Sequence, residues 1–255
     1  MNPWLVAAPV ALAGVAGFTA YGAVAARSQL FGAAVSGTDH PRKLALTFDD
    51  GPNPSITPKL LDLLDRHRAK ATFFVVGHWV RSAPSLVRET IARGHVLGNH
   101  TDSHPNLFFC GPAECREELE RCTEAIQQAT SEPPRWFRPP YGFRSPWLGE
   151  VVQQQRLHMV MWTLIPGDWR PKPQQWLIDR MKPIAEHVQA LGATTPSRPR
   201  PAHGDILCLH DGHYALPNAD RTHTLAALEY WLPRWRDLDL EFVTMNQMHG
   251  KAVEA

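Results

Sequence analysis

From Lys43 to Met248 the chain alternates short strand-like runs with longer stretches of helical spacing, and this alternation restricts it to one class of fold. The runs Lys43–Phe48, Thr72–Val76, His95–Gly98, Trp136–Arg138, Met159–Leu164, Ile206–Leu209 and Phe242–Met245 carry the aliphatic and aromatic side chains that suit a buried, pleated surface. Between them, Ile56, Leu60, Leu63 and Leu64 recur at helical spacing. So do Leu177, Met181, Ile184, Val188 and Leu191, and further on Leu225, Leu228 and Leu232. Pro183 is expected to kink the second of these helices. Strands separated by helices form βαβ units, so the sheet is expected to be parallel. The pattern fits either a closed or incomplete (β/α) barrel or an open doubly wound sheet. In both, the site forms in the loops beyond the carboxyl ends of the strands.

Polar residues gather at those ends. Leu44, Leu46 and Phe48 lead directly into Asp49 and Asp50, followed by Gly51-Pro52. Side-by-side carboxylates at the end of a buried strand need compensation by metal, hydrogen bonds or water. Because strand neighbours alternate faces, a bend at Gly51-Pro52 is expected to aim both at one pocket. His100 and His104 follow the third run, Arg138 ends the fourth, Asp168 and Trp169 follow the fifth, and His210 and Asp211 end the sixth. If the segment from His100 turns helically, its spacing puts both imidazoles on one face, able to grip one ion. Two imidazoles and one carboxylate leave a coordination position open, as in a catalytic rather than a structural zinc site. The second carboxylate is then free to act as general base, a His at a neighbouring strand end as acid, and Arg138 as a fork that steadies the base.

Composition removes some function classes. A net charge of +1 argues against a broad basic surface for nucleic acid or anionic lipid. Cys110, Cys115, Cys122 and Cys208 contain no C-x2-C pair, so a zinc knuckle is not expected; buried free thiols or a disulfide are the readings left. Residues 1–26 carry no charged side chain, and the first charge is Arg27. The segment 1–27 therefore reads as a transmembrane anchor, with Trp4 and Tyr21 near its ends, or as a signal segment cleaved near Ala23-Val24-Ala25. Residues 28–42 read as a connector, 43–250 as one catalytic domain, and the Pro-rich stretch Thr194–His203 as a surface loop.

The ordered motifs Thr47-Phe48-Asp49-Asp50-Gly51-Pro52, His100-Thr101-x-x-His104, Arg138-x-Pro140-Tyr141, Asp168-Trp169 and Leu209-His210-Asp211 resemble those of the NodB-homology polysaccharide deacetylases, carbohydrate esterase family 4. The resemblance covers roughly Pro41 to Met248. It implies a distorted (β/α) barrel and a hydrolase of carbon–nitrogen amide bonds other than peptide bonds, removing N-acetyl or O-acetyl groups from a carbohydrate. It also implies one divalent metal ion, commonly zinc. Position by position, it implies Asp49 as base; Asp50, His100 and His104 as metal ligands; Arg138 as the residue steadying the base; and the Tyr141 backbone N–H as oxyanion donor. His210 corresponds to the acid and Asp168 to the carboxylate that tunes it. Tyr141, Trp169 and Leu209 correspond to substrate contacts. The chain departs from the family pattern at Ile165, where many members carry an Asp, and altered tuning or substrate choice is the expected consequence. The substrates in view are an acetylated glycan or a lipid-linked sugar at the membrane; the resemblance implies a catalytic domain outside the cytoplasm, whereas Arg27, Arg42 and Lys43 after the span mildly favour the cytoplasmic side by the positive-inside rule. A metal-stabilised glycan-binding protein without catalysis is the reading from another class, and the presence of both Asp49 and His210 weighs against it.

Overall fold

The computed structural model describes residues 17–192 and 202–248. Among them are eight strands: β1 (Ala34–Val35), β2 (Lys43–Gly51), β3 (Thr72–Val75), β4 (Val96–Asn99), β5 (Trp136–Phe137), β6 (His158–Val160), β7 (Asp205–His210) and β8 (Glu241–Val243). Residues 17–24 are helical and are called α1. The remaining helices are α2 (Thr57–Arg66), α3 (Gly77–Ser82), α4 (Pro84–Ala92), α5 (Pro112–Thr130), α6 (Leu148–Gln154), α7 (Gln174–Gly192), α8 (Thr222–Asp237) and α9 (Met245–Met248). Helix α7 continues through Pro183 as one element.

Alternation along the strands builds the architecture. Leu44, Leu46 and Phe48 of β2 and Leu207 and Leu209 of β7 pack outward against Leu60, Leu64, Leu228, Leu232 and Trp235 of the helices. Each such fully buried side chain is worth about 1.5–3 kcal/mol over leaving it exposed. The intervening residues face inward, where Ala45, Phe74, Trp136, Val160, Ile206 and Val243 form a second core. The same period of two turns Thr47, Asp49, Cys208 and His210 toward the interior.

The sheet runs β1-β6-β5-β4-β3-β2-β7, and every pairing is parallel. Strand β8 pairs with Lys43–Ala45, the first part of β2. The ring closes beyond β6: Thr163 N–H and Leu164 N–H donate to Ile206 O at 3.0 and 3.3 Å, and Cys208 N–H donates to Leu164 O at 2.9 Å. This is the distorted parallel barrel that the family resemblance implies, and not the open doubly wound sheet that the strand and helix pattern also allowed.

Several expectations need correction. The run Met159–Leu164 does not continue as one strand. The carbonyls of Val160 and Met161 turn to the Arg138 guanidinium, at 3.3 and 3.0 Å, and so leave the ladder. The stretch 28–42 is no free connector: β1 pairs with β6, and Thr38 N–H donates to Gly204 O at 3.1 Å. The fully buried Arg144 holds the chain entering this stretch, donating to Ala25 O and to Ser28 O, the latter at 2.7 Å, while its own N–H donates to Ala23 O. Residues 194–201 of the Pro-rich loop and most of the apolar segment 1–27 lie outside the described residues, within which no helix is long and apolar enough to cross a membrane. All four cysteines are free and buried, and burial pushes each thiol up, so they behave as small hydrophobes.

Candidate active site

At the carboxyl end of β2 the two carboxylates part company. The bend that separates them is at Asp50 itself, one residue earlier than expected: its φ is 71°, and the β2–β3 register slips between Asp49 and Gly51. Asp49 keeps the inward direction that the strand gives it. Its Oδ1 accepts from Arg138 Nη1 at 2.8 Å, and the same nitrogen donates to Thr47 Oγ1 at 2.7 Å. The Arg138 guanidinium lies 4.2 Å from the Phe74 ring centroid and is wholly buried. A buried guanidinium with all three nitrogens hydrogen-bonded is a rigid support for one carboxylate oxygen. The second oxygen, Oδ2, accepts from the Cys208 thiol at 3.3 Å.

Asp50 turns to the histidines. Its Oδ1 lies 3.1 Å from His104 Nε2 and 3.5 Å from His100 Nε2, yet it is buried without a properly directed hydrogen bond. One ligand atom from each of the three side chains lies within 4.8 Å of the others. Three buried acceptors converging in this way, one of them an orphaned carboxylate oxygen, form the donor set a zinc-like divalent ion requires, and the residues fit such an ion. Burial alone pushes the Asp50 carboxyl up, but the adjacent His100 and His104 rings outweigh it and hold it well below the usual carboxylate range. Burial pushes His104 down, toward the neutral imidazole a metal needs. The pair is not on a helix. Residues 100–104 form a loop after β4, with Thr101 at φ 66° and His104 at φ 63°, so left-handed turns rather than i, i+4 stacking bring the rings together.

Across the cavity, His210 Nδ1 lies 2.8 Å from Asp168 Oδ1, while Asp168 Oδ2 accepts from His210 N–H and Thr224 Oγ1, both at 2.9 Å. Burial pushes His210 down, but the Asp168 carboxylate reverses the effect and raises it to about 9, so the ring is protonated at neutral pH. Asp211 hydrogen-bonds Thr57 Oγ1, and its burial raises its carboxyl to about 7.

The cavity encloses about 460 Å³. Asp49, Asp50, His100, His104 and His210 meet there with Tyr141, Phe143, Trp162, Trp169 and Tyr214. Tyr141, at φ 58° in the turn Pro140–Gly142, and Trp169 are about half exposed at its mouth. Ile165 also lines it. Leu209 does not touch this space: alternation on β7 sends it outward into the helix-packed core, which corrects its expected place at the substrate. The sequence reading quoted Thr47 in its first motif without giving it a role, and missed Cys208, although each sits two residues from a site residue, Asp49 or His210, and therefore shares its face. It also missed Thr224, Phe143, Trp162 and Tyr214, which no periodicity marks. His213 lines the cavity as well.

Known proteins match this arrangement. The polysaccharide deacetylase family profile matches residues 36–160. A chitooligosaccharide deacetylase of Bradyrhizobium sp. (strain ANU 289) is 38% identical over 226 residues, covering 84% of this chain and 93% of the relative. A peptidoglycan-N-acetylglucosamine deacetylase of Bacillus cereus is 31% identical over 205 residues, 80% of this chain and 87% of that protein. The crystal structure of the peptidoglycan N-acetylglucosamine deacetylase Bc1960, in complex with a naphthyl-substituted N-oxidanyl-benzamide, superposes with a TM-score of 0.71 at 30% identity, covering 84% of this chain and 91% of that one. With motifs, barrel and relatives in agreement along most of its length, the chain belongs to the polysaccharide deacetylase family, the NodB-homology carbohydrate esterases of family 4.

Proposed function

We propose that this protein is a metal-dependent hydrolase that removes the N-acetyl group from an N-acetylglucosamine-containing glycan. The observation that carries the reading is the placing of two unlike groups beside the Asp50–His100–His104 cluster: a carboxylate held by Arg138, Asp49, and an imidazole paired with the Asp168 carboxylate, His210. A structural metal site needs neither.

Asp50, His100 and His104 would hold a divalent ion, zinc being the first choice for so imidazole-rich a set, and the ion would supply Lewis-acid polarisation and a more acidic water. Asp49, off the metal and held by Arg138, takes the proton from the attacking water as it adds to the carbonyl carbon. The Tyr141 backbone N–H donates to the oxyanion. His210, kept charged by Asp168, gives its proton to the departing nitrogen as the C–N bond breaks, leaving acetate and a free amine. Trp169, Tyr141, Phe143 and Trp162 offer apolar faces against the acetyl group and the sugar ring.

The names of the relatives favour chitooligosaccharide or peptidoglycan as the substrate class, and O-acetyl esters are the neighbouring chemistry. Incubation with acetylated chito-oligosaccharides, peptidoglycan fragments and an O-acetylated glycan, with and without chelator, tests the reading. Chelator-sensitive acetate release accompanied by new amine is expected; none from any substrate by the metal-loaded protein overturns it. The retained catalytic pair disfavours a purely binding role.

A second reading concerns location. The uncharged segment 1–26 serves as a membrane anchor; glycan substrates outweigh the small bias of Arg27, Arg42 and Lys43 toward a cytoplasmic domain and favour a domain outside the cytoplasm, with a lipid-linked acetylated sugar within reach. The docking of Ala23–Ser28 onto Arg144, in the loop that follows Tyr141, supports a short rigid stem. Fractionation with a carboxyl-terminal topology reporter tests it; recovery of the full-length chain in the soluble cytoplasm contradicts it.

A further inference from the structure

The two imidazoles that face Asp50 are held in different ways. His100 is fixed from behind, its Nδ1 lying 2.7 Å from Arg138 O. With that nitrogen donating, Nε2 keeps its lone pair for an ion, which is how a metal-ligating histidine is ordinarily oriented. His104 has no such support. Its Nδ1 is buried and has no hydrogen-bond partner among the described residues, and its backbone sits in the left-handed region.

Aromatic rings surround it instead. The Tyr214 ring lies flat against the imidazole, with centroids 4.5 Å apart and planes within 5°. Tyr141 meets it edge-on at 4.6 Å and 74°. The far face of Tyr214 is covered by His213 at 4.8 Å and 19°, so three rings stack from the β7–α8 loop down to the metal cluster. That loop is pinned. His213 O accepts from Trp79 Nε1 at 3.1 Å, His213 Nδ1 accepts from Ala215 N–H at 3.0 Å, and Gly212 O accepts from Arg221 Nε at 2.9 Å. The Tyr141 and Tyr214 phenols are themselves hydrogen-bonded.

We propose that Tyr214 is a positioning residue of the metal site, its stacked ring doing for His104 what the Arg138 carbonyl does for His100. A ring clamped on one face and one edge loses the rotation that would carry Nε2 away from Asp50, so the ligand is set before the ion arrives. The β7–α8 loop thereby contributes to metal affinity without supplying a ligand.

The test is zinc affinity of the metal-stripped full chain, by competition with a chromophoric chelator, together with the visible spectrum of the cobalt-substituted protein. Tyr214→Ala is expected to weaken zinc binding by about tenfold and to alter the cobalt bands, whereas Tyr214→Phe, which keeps the stack and loses the phenol, stays within about twofold of the parent. Tyr214→Leu keeps apolar volume without a flat ring, is expected to match the alanine variant, and decides the matter if the alanine variant does not fold. Parental affinity and cobalt bands in the alanine or leucine variant overturn the proposal. So does a phenylalanine variant as weak as alanine, which assigns the effect to the phenol–phenol bond. The readout is metal binding rather than acetate release, so its failure leaves the deacetylase reading standing, and the reverse also holds.

Discussion

Replacing Asp168 by Asn isolates the acid half of the proposed chemistry, because the amide keeps the shape of the side chain and loses its charge. His210 has its proton held by that charge: its pKa is about 9, against an ordinary value near 6.5. At about 1.4 kcal/mol for each pH unit, the site as a whole, Asp168 foremost against the opposing burial, favours the imidazolium by about 3 kcal/mol. At pH 7.5 an acid with pKa 9 is about 97% protonated, whereas one at 6.5 is about 9% protonated. With the carboxylate gone, burial pushes the ring down and only the weaker coulombic pull of Asp50 and Asp49 still raises it, so its pKa falls toward the ordinary value. The protonated fraction thus falls by up to about tenfold, and kcat/KM at pH 7.5 is expected to fall with it. The sign is fixed by the role. A general acid works while protonated, so activity is present below its pKa and lost as pH rises through it. A divalent ion nearby repels the charged ring, so the alkaline limb of the metal-loaded parent lies at or below pH 9, and that of the variant lies lower still. The assay is acetate release under kcat/KM conditions across the pH range. A variant with the parental alkaline limb and parental kcat/KM at pH 7.5 refutes the assignment of His210 as an acid tuned by Asp168.

Two further outcomes follow from the geometry. His100→Ala removes one of three converging ligands and is expected to lower bound metal well below one ion per chain by elemental analysis; unchanged stoichiometry contradicts the ligand set. Arg144→Ala leaves Ala25 O and Ser28 O without their buried donor and is expected to cost about 2–4 kcal/mol in urea denaturation, with faster proteolysis near residue 25; an unchanged midpoint denies that the entering chain is part of the fold.

How much of this could be read beforehand depended on which physical rule carried each residue. A parallel sheet covered by helices was legible because alternating strand and helix patterns admit few other arrangements; its closing into a barrel rather than an open doubly wound sheet came only from the family resemblance. The site was legible because its polar residues stand at strand ends with nothing apolar to do there. Alternation, applied one step further, separates Leu209, which leaves for the outer core, from Cys208 and His210, which stay inside. The left-handed turn at Asp50 was not legible, since Asp carries no mark of that conformation and Gly51-Pro52 offered a more obvious place to bend. His100 and His104 carry helical spacing but converge through a loop, because positive φ at Thr101 and His104 leaves no helix. Residues 28–42 looked like a spacer because β1 has only two residues, too few for a periodic signal. Tyr214 was hidden for the same reason. It lies in a loop whose meaning comes from what it stacks upon.

The account divides the paired carboxylates into a ligand, Asp50, and a proton acceptor, Asp49, and Asp49→Asn tests that division most directly. Metal content and acetate release are measured on the same preparation. The account predicts one ion per chain, as in the parent, with turnover reduced by at least about a hundredfold. A fully active Asp49→Asn protein, or one that has lost its metal, would contradict it.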